Sequence, residues 1–247
     1  MKRIYLLPLV LLIFSCSKDK EDSPEPTTFI DSATLELKYD KQHQFVVTKG
    51  TEVLDASTIK WNSSDTLVGK VDTKGNFKGR KIGTTTITGT INGKTVESKI
   101  TITPYSSSFK EPYLGFGADI STVKSNETRK FIAELTSSLS FEGDNSKIRA
   151  VLYLLDTSKK MTSAGIFFEN SSAMVTDVTT FYKERYPING TKDGKVAFFN
   201  DENTVGVQLS VNADLGFNAI YLPYRRTGRV SIGFDDASKS FANTYKQ

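Results

Sequence analysis

The run from Trp61 to Pro104, WNSSDTLVGKVDTKGNFKGRKIGTTTITGTINGKTVESKITITP, decides how the chain is organised. Near its end Val96, Ser98, Ile100 and Ile102 share one parity, and Glu97, Lys99, Thr101 and Thr103 take the other. A period of two is the pattern of a half-buried antiparallel strand. Glycines at 75, 79, 83, 89 and 93 punctuate the run, and Asn92-Gly93 is a dipeptide that turns a hairpin. Upstream, Thr34-Leu35-Glu36-Leu37 alternates in the same way, and Phe45-Val46-Val47 follows a polar turn. Short strands at this spacing predict a sandwich of about 75 residues.

Within that frame, Trp61-Asn62-Ser63-Ser64-Asp65, then Val71-Asp72, Gly75, Gly79 and Gly83-Thr84 resemble the bacterial Ig-like group 2 module over residues 29–104. Asp40-Lys41 departs from its pattern, standing where a glycine is more usual. The resemblance implies a spacer or adhesion module that holds another domain away from a surface. The residues themselves have structural work: Trp61 as a core plug between sheets, Asp65 and Asp72 as turn formers whose carboxylates bond the backbone two residues on. A calcium site would need more converging oxygens than these two supply. His43 is the single histidine, with no second histidine or cysteine beside it for zinc and no setting for a serine triad.

Ahead of the sandwich, residues 1–15 read as an export signal, with Lys2 and Arg3, an apolar run from Ile4 to Phe14, and Ser15. The apolar run is too short to cross a bilayer as a helix. The single cysteine, Cys16, ends Ile13-Phe14-Ser15-Cys16, which resembles the lipobox of bacterial lipoproteins. That resemblance implies a diacylglycerol on Cys16, anchoring the protein to the outer membrane. Residues 16–28 then form a tether whose prolines and alternating charges keep it solvated. Its Lys18-Asp19-Lys20-Glu21-Asp22 resembles the acidic runs that route some lipoproteins to the outer face, or is a charged spacer.

Composition fits a folded, exported chain. Charged residues at 24% and apolar residues at 38% indicate a globular protein. Setting aside Lys2 and Arg3 of the leader leaves 30 of the 32 basic side chains against 28 acidic ones, no net field that would draw nucleic acid.

After a serine-rich join at 105–111, a distal domain is expected over residues 112–247. A short helix opens at Gly117-Ala118-Asp119-Ile120, with Asp119 as N-cap and Ile120 and Val123 on one face. A second helix is marked by Met174, Val178, Phe181 and Tyr182 at i, i+4, i+7 and i+8, between Ser172 and Pro187. Strands are expected at Phe131–Leu135, Ile148–Leu155, Ala164–Phe168, Val196–Phe199, Val205–Val211 and Phe217–Tyr224, with a further short strand at Val230–Phe234. Helix and three strands thus occur twice, after roughly 54 residues. The fold class is multi-domain: an N-terminal all-β Ig-like sandwich, then an α+β domain with an antiparallel sheet and two helices (αβββαβββ) on one face. That order looks like the tandem αβββ architecture of β-lactamase-inhibitor-protein-like folds and of small outer-membrane assembly lipoproteins, in topology alone.

Candidate ligand-binding residues are Tyr221, Tyr224, Arg225 and Arg226, joined by Tyr186 and Arg185, because aromatic faces beside guanidinium groups suit glycans or acidic partners. The alternative is a strand whose tyrosines pack and whose arginines stay solvated. Glu169, Asp177 and Glu184 are carboxylates without a spacing that sets two of them across a cleft. Gly115-x-Gly117 lacks the third glycine of a nucleotide loop. No catalytic residue, metal ligand set or cofactor motif is predicted. The expected function is non-catalytic: a lipid-anchored envelope protein, displayed at the surface, binding a glycan or protein partner with the sandwich as stalk. The alternative is a periplasm-facing assembly or structural lipoprotein.

Overall fold

The protein, as a computed structural model, is described for residues 25–186, 188–224 and 230–245. The leader and Cys16 lie outside the described residues, as do Arg225 and Arg226.

The N-terminal domain is the expected all-β sandwich. Its strands are β1 (Thr28–Ile30), β2 (Thr34–Lys38), β3 (Gln42–Gln44), β4 (Val47–Lys49), β5 (Glu52–Val53), β6 (Lys60–Ser63), β7 (Gly69–Val71), β8 (Asn76–Gly79), β9 (Gly83–Ile91) and β10 (Lys94–Thr103). They form sheets of order β2-β10-β9-β6, β3-β8-β7 and β1-β4-β5. The β9–β10 hairpin is the frame, and it turns at Asn92-Gly93, whose φ angles of 49° and 74° are the left-handed pair that a two-residue hairpin loop requires. The inward parity of β10 behaves as its pattern predicts: Ile100 and Ile102 pack with Phe45, Val68, Phe77 and Ile87, and Val96 packs with Val47 and Ile59.

Trp61 joins these two clusters, its ring 5.7 Å from Phe45 and its indole N–H donating to the Ala56 carbonyl at 3.0 Å. Asp65 accepts from the Leu67 N–H at 2.8 Å, and Asp72 from the N–H groups of Lys74 and Asn76 at 2.8 and 2.9 Å. Both carboxylates therefore hold turns. Asp40, where glycine is more usual, takes the left-handed φ of 65° that a short polar side chain tolerates.

The distal domain contains α1 (Ile120–Asn126), β11 (Phe131–Leu135), β12 (Ser138–Phe141), β13 (Ile148–Leu155), β14 (Met161–Phe168), α2 (Ser172–Lys183), β15 (Ile188–Lys192), β16 (Lys195–Phe199), β17 (Val205–Asn212), β18 (Gly216–Pro223) and α3 (Val230–Tyr245). All eight strands join one antiparallel sheet in the order β11-β12-β13-β14-β18-β17-β16-β15. It is two four-stranded meanders side by side, whose last strands meet at the centre with Ala164 opposite Tyr221 and Ile166 opposite Ala219. Each meander follows one helix, and the helix C-caps, Glu127 and Glu184, stand 57 residues apart. This is the repeat expected at roughly 54.

Two details differ from the expected αβββαβββ. Each half carries a fourth strand, β12 (SLSF) and β15 (INGTK), which were not expected because serines and an Asn-Gly pair read as turn residues. The strand expected at Val230–Phe234 is instead the start of a third helix. Phe234, Ala237 and Phe241 recur at intervals of three and four, and this stripe packs on Leu152, Leu154, Phe167, Leu215 and Ile220.

The helices divide the sheet into two faces. Val123 of α1 and Met174, Val178, Phe181 and Tyr182 of α2 are buried against one face, called here the near face. α3 lies on the opposite, far face. Strand parity supplies both cores: in β14, Ile166 and Phe168 point near and Phe167 points far.

The serine-rich join at 105–111 is packed against the distal domain. Phe109 stacks 4.1 Å from Phe181 in the near core. Glu184, fully buried, accepts the N–H groups of Tyr105 and Ser106 at 2.8 and 3.1 Å and pairs with Arg185 at 2.7 Å. Its backbone carbonyl takes the Ile82 N–H of the sandwich at 2.7 Å, and Lys81 pairs with Asp201. One residue at the end of α2 thus ties the join and the sandwich to the same point.

Candidate functional site

The near face gathers two of the predicted residues and encloses them. Tyr221, on β18, is fully buried and shares a hydrogen bond between hydroxyls with Tyr182 of α2. Tyr186, just after α2, donates its hydroxyl to Glu111 at 2.5 Å, and Tyr221 reaches the same carboxylate. Glu111 as a residue is half-buried, while its carboxyl end is enclosed by these rings; burial pushes its pKa up, against the pull of the Tyr186 hydroxyl. Burial likewise pushes the hydroxyls of Tyr182, Tyr186 and Tyr221 up. Each polar atom in the cluster has a partner, so it works as a satisfied core network.

The other half of the near face is paired in the same way except at one atom, the buried Arg129 Nε, which has no partner among the described residues. Arg129 donates to both oxygens of Glu127 at 2.9 Å and to Asp144 at 2.8 Å, and the Tyr153 hydroxyl donates to Glu127. Arg185, expected beside the tyrosines, spends its guanidinium on Glu184 and on the carbonyls of Phe181 and Ser106. Of the other carboxylates considered, Asp177 accepts the Ser108 hydroxyl of the join, and Glu184 holds the join itself. His43 sits in the sandwich, 2.8 Å from Asp31. Among the described residues, no group of three or more His, Cys, Asp or Glu side chains could hold a metal ion.

The far face is different, because α3 covers only part of it. Beside the N-terminal half of α3 lies an open groove of about 410 Å³, within the range of small-molecule sites. Cross-strand pairing builds its floor: Gly190 of β15 is opposite Ala197 of β16, and Ala197 is opposite Gln208 of β17. Two small residues in register leave the depression, and Gln208 closes its inner end. In the next row Phe199 is opposite Gly206, and a Cβ at Gly206 would meet the rings of Phe234 and Phe199 at 3.2 and 3.3 Å. Glycine there lets both rings lie close against the strand. Tyr224, the third predicted tyrosine, packs against Phe199 with ring centroids 4.5 Å apart and the rings tilted, and so belongs to this face.

The rim carries Lys192, Asp193, Lys195 and Asp235, and Lys195 pairs with Asp235 at 2.6 Å. Gln208 is 8% exposed, and its carboxamide makes no hydrogen bond among the described residues. The amide therefore opens to the groove: the sealed side-chain atoms left without a partner among the described residues are Ser98 Oγ, Arg129 Nε and Asp201 Oδ1, and no atom of Gln208 is one of them.

Reasoning from the sequence missed Gln208. It belongs to the polar parity of a cleanly alternating strand, Thr204, Gly206, Gln208 and Ser210, which reads as a solvated face. The available signal was a polar parity in a strand that the order of the domain places inside a sheet.

The sequence matches the bacterial Ig-like domain (group 2) family over residues 27–103. No protein among the curated ones matches the chain. Among solved structures, domains 5–6 of the S-layer protein SbsC align with 83% of this chain and 86% of that chain, at 13% identity and a TM-score of 0.28. A likeness so slight bears on neither fold nor function. No helix among the described residues is long and apolar enough to cross a membrane.

Proposed function

We propose that the protein is a lipid-anchored envelope protein, displayed at the cell surface through Cys16, that binds a partner non-catalytically with its distal domain. The Ig-like domain serves as the stalk. The observation that carries this reading is where the polar side chains are used: the near-face tyrosines, Glu127, Arg129 and Glu184 are drawn into structural pairs, while the groove on the far face is lined by an amide that opens to it and has no protein partner among the described residues. The family match over residues 27–103 supports a stalk, and the contacts of Glu184, Ile82 and Lys81 support a stalk and head that move together.

The test is protease shaving of intact cells followed by blotting, with Cys16→Ala as the anchoring control. Loss of the protein from intact cells, and its release from membranes in Cys16→Ala, is the expected result. Protection until the outer membrane is opened would contradict surface display and favour a periplasm-facing assembly role.

A further inference from the structure

We propose that the groove beside α3 is a binding site for a neutral sugar residue, with Gln208 as its hydrogen-bonding anchor and Phe199 as its apolar wall. The proposal rests on the surface-binding reading and names the ligand class of that site.

The first reason is the amide. A carboxamide presents two donors and an acceptor, and a hydroxyl both donates and accepts, so one carboxamide can satisfy a pair of neighbouring sugar hydroxyls. Gln208 is nine-tenths buried, lines the groove and is otherwise unpartnered among the described residues. Second, Gly190 and Ala197 provide a flat floor for a ring, and Phe199 lines the same groove, offering a surface for the C–H side of a sugar. Third, the two lysines and two aspartates that line the rim among the described residues cancel, which selects against strongly anionic or cationic ligands.

A peptide added as a strand fits less well. It would pair with the edge strand β15, whereas Gln208 stands on β17, two strands further in, or roughly 10 Å at ordinary strand spacing. Backbone pairing at the edge would leave the amide empty.

The experiment is saturation-transfer-difference NMR on the full chain in detergent, with N-acetylglucosamine, galactose and maltose as neutral probes and a sulfated glycan and an extended peptide as contrasts. Gln208→Leu removes the amide. Gly190→Phe fills the outer floor, where an added side chain begins in open space, so it guards against a folding defect in the first variant. The expected result is transfer to at least one neutral sugar, weakened about tenfold or more in both variants, the scale of a lost buried hydrogen-bond partner. No transfer to any neutral sugar, transfer unchanged in both variants, or preference for the sulfated glycan or peptide would overturn the proposal. A chain that is shaved from intact cells yet binds none of the sugars overturns the ligand class and leaves surface display standing. A chain that is protected from protease yet binds sugar does the reverse.

Discussion

The two faces of the distal sheet use polar residues in opposite ways. On the near face, Glu111, Tyr182, Tyr186 and Tyr221 form one hydrogen-bonded set, and Glu127, Arg129, Tyr153 and Asp144 form another. On the far face, Gln208 has no protein partner among the described residues and its amide opens to the groove, whereas the near-face atom left unpaired, Arg129 Nε, is sealed in. The difference teaches that aromatic and charged density is a poor guide to a working surface. Here the dense face is the sealed one, and the free group lies where a helix covers the sheet incompletely.

The contrast can be broken most forcefully at Arg129. Arg129→Leu would leave Glu127 buried without the guanidinium nitrogen that reaches both its oxygens, and losing one member of a buried pair costs about 3–5 kcal/mol. Chemical denaturation should show that loss. A change below about 1 kcal/mol, the scale of an exposed pair, would mean that the near-face charges are solvated after all.

A subtler probe is the pH dependence of Glu111. Its folded pKa is raised above the ordinary carboxyl value of 4.5, so between those two values the native state holds more protons than the unfolded chain. This group's contribution to stability therefore falls as pH rises through that window. Glu111→Gln keeps an acceptor for Tyr186 and removes the titration, so the variant should gain on the wild type from acid to neutral pH. Thermal melts at a series of pH values would show this, and a constant difference would contradict the enclosed carboxyl.

Much of this architecture was legible in the sequence, for identifiable reasons. The sandwich announced itself through period-two alternation in β10 and through turns whose chemistry is local, such as Asn92-Gly93 and Asp72. The helix α2 was legible because Met174, Val178, Phe181 and Tyr182 fall on one stripe. The helix α3 was misread because its opening, VSIGF, alternates like a strand, and its helical stripe emerges only when Ala237 and Phe241 are included. Tyr221 and Tyr224 lie on opposite faces of the sheet despite being neighbours in sequence, so a sequence cluster did not become a spatial one. Gln208 was illegible for a deeper reason. Alternation tells which residues share a face, and only the path of α3 tells how much of that face is covered.

The most direct test of the contrast is a paired melt of Tyr221→Phe and Gln208→Leu. Removing a satisfied hydroxyl should destabilise by about 1–2 kcal/mol, because Tyr182 and Glu111 lose a partner. Replacing an amide that opens to groove water by leucine should leave stability within about 0.5 kcal/mol. A lowered melting temperature for Tyr221→Phe beside an unchanged one for Gln208→Leu is the predicted result. If both fall, Gln208 is an ordinary structural residue and the far-face groove loses its claim to be the working surface.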